Sequence, residues 1–204
     1  FLFQQNRYRF GSSQIEAWQD EIHKMEWPKE EVELILPRQS HWHYRRYFKN
    51  QSNDWQAARS HDLGDDWSVG KTPVGYGVRG IGTMPLRDGD KRSYTTTCFH
   101  REIEIDDPER YQSLKIRLRR ENGARVLING KEVMRANLHE VSKSDGFAKY
   151  NSFAIERNAY YSYVISPEDL KKGNNVISAE LHQTGLGDYM VFDLELEGRI
   201  KKEE

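Results

Sequence analysis

The chain has 204 residues, of which 36% are hydrophobic and 12% aromatic, so it holds enough apolar material for a folded domain. It carries 31 basic and 32 acidic residues, and this formal net charge of -1 argues against a general nucleic-acid binder, which usually has a basic excess. One cysteine, Cys98, excludes an internal disulfide framework, and no apolar run approaches the roughly 20 residues of a membrane-spanning helix.

The first 36 residues have a helical pattern. Ser13 and Glu16 have the spacing of a capping box, in which Ser13 caps the backbone NH of Glu16 and Glu16 reaches back. Four apolar residues then recur at intervals of three and four on one helical face, namely Ile15, Trp18, Ile22 and Met25. Pro28 ends the helix because it lacks the backbone NH and crowds the preceding turn. We predict an α-helical arm over residues 1–36, which includes the short segment Val32–Leu36.

From His41 onward the hydrophobic period changes to two, which is typical of strands with one buried and one polar face. The clearest alternations and further strand candidates cover residues 42–48, 94–105, 114–118, 160–165, 177–181 and 190–196. Turn signals separate them, and Asn129-Gly130 is the strongest hairpin signal. About eight strands after one helix predict an all-β sandwich over residues 37–204.

Five blocks of this region carry a family resemblance: residues 65–77, 94–101, 121–137, 174–183 and 188–196. In order and spacing they resemble galactose-binding-like jelly-roll domains, which occur as accessory modules beside secreted metallophosphoesterases and glycoside hydrolases. The resemblance implies a jelly-roll β-sandwich over roughly residues 40 to 198. It favours an extracytoplasmic, secreted or organelle-lumen location. The sequence departs from the family at Glu121-Asn122, where an acidic pair is usual, and at Cys98, where an aromatic residue is usual.

Metal and catalytic motifs are weak in this sequence. His41 with His43, and Cys98 with His100, are pairs that could complete a zinc site if their strands met. Nothing in the sequence brings the strands together, so we expect no metal and no cofactor, while the resemblance leaves a structural calcium ion open. No nucleophile elbow and no set of nucleophile, base and orienting residue is visible. We therefore expect no enzyme activity, with a hydrolase as an outside alternative.

Polar residues flank the predicted hairpin and raise the question of a ligand site. We assign structural roles to Arg135, Asn137 and His182, and expect the first two to bind loop carbonyls or carboxylates. A buried arginine needs such a partner, because leaving it unpaired costs about 3 to 5 kcal/mol. The alternative is a polar ligand site at the base of the hairpin.

Two interpretations of a non-catalytic module remain open. In the first, which we favour, the chain is a structural subunit whose arm residues Ile15, Trp18, Ile22 and Met25 bind other protein subunits. In the second, it is a carbohydrate-binding accessory domain of a secreted hydrolase system. The end loops 139–157 and 183–189 would then hold the sugar, which would stack on exposed aromatic residues from the set Tyr150, Tyr160, Tyr161 and Tyr189.

Overall fold

The computed structural model describes residues 31–46, 52–84, 96–139, 146–150, 153–185 and 189–202. The predicted helix lies outside the described residues, so the roles of Ile15, Trp18, Ile22 and Met25 stay predictions. Residues 31–204 form one compact unit of the chain. Among the described residues, no helix has both the length and the apolar character needed to cross a membrane.

The described strands form two antiparallel sheets, which confirms the predicted all-β sandwich. Sheet A contains β1 (Val32–Leu36), β4 (Val74–Tyr76), β6 (Tyr111–Arg120), β9 (Tyr161–Ile165) and β11 (Met190–Ile200). Its order is β1-β11-β6-β9, and β4 also pairs with β11. Sheet B contains β2 (His41–Arg46), β3 (Ser68–Lys71), β5 (Thr96–Ile105), β7 (Gly123–Ile128), β8 (Lys131–Ala136) and β10 (Gly173–His182).

The order of sheet B is β3-β2-β5-β10-β7-β8. From β5 to β7 and from β9 to β11, consecutive strands alternate between the two sheets, as in jelly rolls. The helical elements are short: α1 (Ala154–Asn158) and the 3-10 turns Asp54–Gln56, Ser60–Asp62 and Pro108–Arg110. The α1 helix lies in the stretch 139–157 that shows no period in the sequence.

The core lies between the inward faces of the two sheets. The alternating apolar residues of β6, β10 and β11 point into it, because successive side chains of a strand point to opposite faces. Phe192 of sheet A stacks on Phe99 of sheet B with ring centroids 3.9 Å apart, and Trp42 meets Phe192 edge-on at 5.2 Å. These three rings join the sheets near the middle of the sandwich.

The hairpin between β7 and β8 is confirmed at Asn129-Gly130. Both residues have positive φ, 51° and 84°, as the mirror-image two-residue turn requires. The Asn129 side chain also accepts a hydrogen bond from the Val176 backbone NH (3.0 Å) and donates one to the Asp169 carbonyl (2.8 Å). The asparagine therefore closes the turn and ties it to the start of β10.

The strand β1 changes the predicted boundary between arm and sandwich. The sequence analysis assigns Val32–Leu36 to the arm, whereas the structure pairs this segment with β11, for example Leu34 with Glu197. Leu36 is buried in the core. The pairing joins residues more than 150 positions apart, which a local hydrophobic pattern does not reveal. The sandwich therefore begins at β1.

Candidate functional site

One end of the sandwich gathers most of the residues that the sequence singles out. At this loop end, β6, β8 and β10 finish and β7 and β11 begin. The Asn137 side chain holds residues 146–150 there: its amide donates to the Tyr150 carbonyl (2.7 Å), and its oxygen accepts from the Tyr150 backbone NH (3.3 Å). The Asn137 backbone carbonyl accepts from Lys149 NH at 3.0 Å. Asn137 thus binds the backbone of this segment much as a neighbouring strand would.

Two further polar residues bind the neighbouring backbone. Arg135 pairs with Glu132 (Nε to Oε1, 2.6 Å) and donates to the His139 carbonyl at 2.7 Å. The Nδ1 atom of His182 lies 2.7 Å from the Gly146 carbonyl oxygen. The structure therefore places Asn137 and His182 against residues 146–150 and Arg135 against His139, each in contact with a backbone carbonyl.

A buried carboxylate lies behind this segment, on the outer face of sheet B. Glu180 accepts hydrogen bonds from Gln56 (2.9 Å) and from Nε and Nη2 of Arg125 (2.9 and 2.7 Å), and His182 Nε2 lies 3.0 Å away. Burial alone would raise the pKa of Glu180, but the hydrogen bonds from His182 and Arg125 lower it to about 2. Glu180 is therefore an ionised structural anchor that joins β10, β7 and the turn Asp54–Gln56.

The short helix α1 is fixed at the same end by two arginines. Arg119 on β6 donates to the Arg157 carbonyl (2.9 Å) and to the Asn158 side chain (3.3 Å). The Arg157 guanidinium pairs with buried Glu121 at 2.8 Å and lies over the Tyr189 ring, 3.9 Å from its centroid. Burial raises the pKa of Glu121, and Arg157 opposes that shift. The polar side of α1 is thus used to hold it on the sandwich.

The anchored segments present large apolar side chains to solvent. Phe153 is 73% exposed and Ile155 is 76% exposed, although Arg119 on β6 holds the end of their helix through the Arg157 carbonyl. We call the exposed set the apolar end surface; it comprises Phe147, Tyr150, Phe153, Ile155 and Tyr189. Gln183 connects Asn122 with the segment 146–150 below this surface. Its side-chain oxygen accepts a hydrogen bond from the Asn122 amide (2.8 Å), and its backbone carbonyl accepts one from the Ala148 NH (3.0 Å).

The four candidate tyrosines separate into two groups. Tyr150 and Tyr189 belong to the apolar end surface. Tyr160 instead donates to the buried carboxylate of Asp193 (2.6 Å) and has the Arg38 guanidinium 3.9 Å above its ring. Burial and the bond to Asp193 raise the pKa of Tyr160. Tyr161 is half-buried in β9, so Tyr150 and Tyr189 are the two exposed members of the set.

The two histidine and cysteine pairs do lie on neighbouring strands, contrary to the expectation that nothing joins them. His43 and His100 face each other across β2 and β5, with ring centroids 6.1 Å apart. His100 Nε2 lies 2.9 Å from the Ala58 carbonyl, and burial raises the pKa of the Cys98 thiol well above its ordinary value. In the part of the chain that the structure describes, no cluster of three or more His, Cys, Asp or Glu is placed to hold a metal ion.

The hydrophobic pattern of the sequence does not reveal Phe153 and Ile155, the residues that define the apolar end surface most clearly. They lie in a stretch without period, and α1 has only five residues, too few for a helical hydrophobic pattern. The ion pair between Glu121 and Arg157 was not predicted either, because the two residues are far apart in the sequence. The available signal was a run of apolar residues in a segment otherwise typical of a loop.

The chain is similar in structure to parts of known enzymes, while no family model and no curated protein matches its sequence. A β-glucuronidase from an uncultured Clostridium sp. has a TM-score of 0.52 and 13% identity, with 87% of this chain and 30% of that chain covered. The apo β-glucuronidase from Ruminococcus gnavus has a TM-score of 0.52 and 9% identity, with 86% and 30% covered. The chain thus spans less than a third of these proteins. At such identities the likeness shows the fold alone: this chain has the β-sandwich fold of one part of these β-glucuronidases.

Proposed function

We propose that the chain is a non-catalytic accessory β-sandwich of a carbohydrate-active system, and that it docks on a neighbouring protein domain through the apolar end surface. The observation that carries the proposal is the exposure of Phe153 and Ile155 on a backbone that buried polar groups hold in place. The similarity to about a third of each β-glucuronidase chain supports it, because a sandwich of this fold is one part of a larger protein there.

The internal use of the buried carboxylates supports a non-catalytic role. Glu180 accepts from three neighbouring side chains, and Glu121 pairs with Arg157. Asp193 accepts from Tyr160, from Thr72 (2.5 Å) and from the Gln39 backbone NH (3.2 Å). A general acid or base needs access to substrate, whereas these oxygen atoms are occupied by groups that hold the fold.

The chemistry of the apolar end surface favours a protein partner over a sugar. The side chains of Phe153 and Ile155 have no donor or acceptor for a hydroxyl group, whereas a sugar site combines a ring with convergent polar groups. Complete burial of these two side chains would contribute about 3 to 6 kcal/mol. A cluster of this kind is typical of interaction sites on otherwise polar surfaces.

Carbohydrate binding is the second candidate, and one arrangement favours it. The Arg157 guanidinium, whose charge is held by Glu121, lies over the Tyr189 ring, which remains 40% exposed, and Tyr150 is exposed at the same end. An aromatic face beside charged groups fits a pyranose, which offers an apolar face and polar hydroxyls. In that case Tyr189→Ala should abolish glycan binding without unfolding the protein, since the ring is partly exposed.

A photoreactive benzoyl-phenylalanine at position 153 tests the protein partner. The residue is introduced in cells that make the protein, and the same analogue at exposed Val69 on β3 serves as the control. We expect illumination to give one discrete protein adduct from position 153 that position 69 does not give. Phe153→Ser together with Ile155→Ser should weaken co-purification of that adduct partner at least tenfold.

The crosslinking experiment can also contradict the protein-docking proposal. Identical adduct patterns at positions 153 and 69, or no adduct at 153, would mean that the apolar end surface meets no defined protein. A glycan array on the purified chain then decides the second candidate. Binding that is lost with Tyr189→Ala and kept with Ile155→Ser would assign the end to carbohydrate.

A further inference from the structure

Among the described strands, β9 (Tyr161–Ile165) is an edge of sheet A, and its own sequence lacks the residues that usually protect edge strands. It pairs with β6 on one side, and it ends the strand order of its sheet. An edge strand presents backbone NH and carbonyl groups that can pair with another chain, and proteins usually place charges or proline there. The sequence of β9, YSYVI, contains neither.

The other described edge strands differ from β9 in this respect. The strand β1 carries Glu33, β3 carries Lys71, and β8 carries Lys131, Glu132 and Arg135. The short strand β4 is covered by the chain itself, because Gly75 NH donates to the Thr83 carbonyl at 2.9 Å. Within the described sheets, β9 is therefore the edge best suited to accept a further strand.

We propose that β9 pairs with β9 of a second copy of this chain, antiparallel and around a two-fold axis at Tyr163, so that the two A sheets become continuous. Closed two-fold contacts use the same surface on both copies, so the strand must complement itself. The axis at Tyr163 places Tyr161 opposite Ile165 of the other copy and Ser162 opposite Val164 of the other copy. Aromatic residues opposite β-branched residues are favourable cross-strand pairs.

The burial pattern of β9 fits this arrangement. Tyr163 and Ile165 pack partly against the core and remain half-buried, so each has a flank that a neighbouring strand would cover. Val164 points to the other face and is 71% exposed. No charged group lies in the paired stretch, so the contact requires no desolvation of an ion.

The flanks of β9 limit the length of the pairing. On one side Tyr160 is held by Asp193, and on the other Pro167 lacks the backbone NH that a longer ladder would need. Arg157 before the strand pairs with Glu121, and Glu168 after it pairs with Lys131, so the flanks bring no unpaired charge into the contact.

Sedimentation of the full 204-residue chain over a range of concentrations tests the proposal. We expect a monomer–dimer equilibrium for the wild-type protein. Val164→Lys and Ser162→Lys should each weaken dimerisation at least tenfold, with an unchanged melting temperature, because both side chains are exposed. The matched control is Val69→Lys on the β3 edge, 58% exposed, which should leave dimerisation unchanged.

A charge-pair variant tests the register of the two strands. In the proposed dimer, Ser162→Lys combined with Val164→Glu in one chain places opposite charges across the axis twice, so the double variant should dimerise more strongly than either single variant. A wild-type protein that stays monomeric at all concentrations overturns the proposal. So does a dimer that Val164→Lys and Val69→Lys affect equally, or a double variant that is no better than the single ones.

Discussion

Replacement of Glu180 by glutamine tests how far the buried polar network stabilises the sandwich. The change keeps the shape of the side chain and removes its charge. The wild-type carboxylate accepts from donors on Gln56, Arg125 and His182. A glutamine offers one oxygen and one NH2 group, so in the variant at least one pair of donors would face each other. Arg125 would also lose the charge of its nearest carboxylate, while Glu132 lies farther away, at 3.5 Å.

The magnitude follows from the burial of the ion pair. Removal of one member of a buried pair costs about 3 to 5 kcal/mol, because the remaining charge stays buried without its partner. For a chain of this length, 1 kcal/mol shifts the melting temperature by about 2 to 4 °C. Glu180→Gln should therefore lower the melting temperature by about 6 to 20 °C at neutral pH, measured by circular dichroism or calorimetry.

The difference between wild type and variant should depend on pH. The pKa of Glu180 is about 2 in the folded protein, against an ordinary value of 4.5. A lowered carboxyl pKa stabilises the folded state above the ordinary value, and this contribution is lost as the pH falls toward the folded value. Glu180→Gln has no such group. The difference in free energy of unfolding between wild type and variant should therefore become smaller between about pH 4.5 and pH 2.

The control is Glu168→Gln, which removes a carboxylate from an exposed ion pair with Lys131 at a similar distance, 3.2 Å. Exposed pairs contribute about 0 to 1 kcal/mol, so this variant should melt within about 4 °C of wild type. If Glu180→Gln destabilises the protein no more than Glu168→Gln does, the buried network is not an anchor and the reasoning fails.

Two further predictions concern the backbone. Gly130→Val should destabilise the fold by about 1 to 3 kcal/mol because φ is 84° there, while Gly185→Val should have little effect, since a Cβ at Gly185 meets no atom of the described residues within 4 Å. Equal melting temperatures for the two valine variants would mean that the turn is not strained by a side chain. A chain that starts at Glu31 should keep the melting temperature of the full chain, whereas one that starts at Pro37 should melt lower, because it loses β1 and the buried Leu36. An equal melting temperature for both shortened chains would contradict the role given to β1.

The sequence predicts a strand when its two faces differ clearly in polarity. It does so without showing which other strands lie beside it. The alternations in β6, β10 and β11 and the Asn129-Gly130 turn are confirmed because each is encoded by residues close in sequence. The strands β3 and β4 escape prediction since they have four and three residues, too few for a period. The strand β1 is assigned to the arm because its partner β11 lies at the other end of the chain.

The polar face of β10 shows a second limit of the pattern. The alternation puts Ser178, Glu180 and His182 on the polar face of the strand, yet all three are buried, and Gln56 contacts Ser178 and Glu180. A period of two separates the faces of a strand without showing whether a further layer covers the polar one. The partners of His182, Glu180 and the Gly146 carbonyl, could not be predicted from the sequence.

The place of β11 in sheet A has a consequence for how the protein is made. This strand is the last of the described strands in sequence, yet it pairs with β1, β4 and β6 and so lies in the interior of the sheet. During synthesis the earlier strands of sheet A leave the ribosome before β11, with which they pair. The strand β1 is separated from β11 by about 160 residues. Sheet A can therefore assemble only after nearly all of this sandwich has been translated. Until then its unpaired edges are surfaces that chaperones would have to shield from other nascent chains.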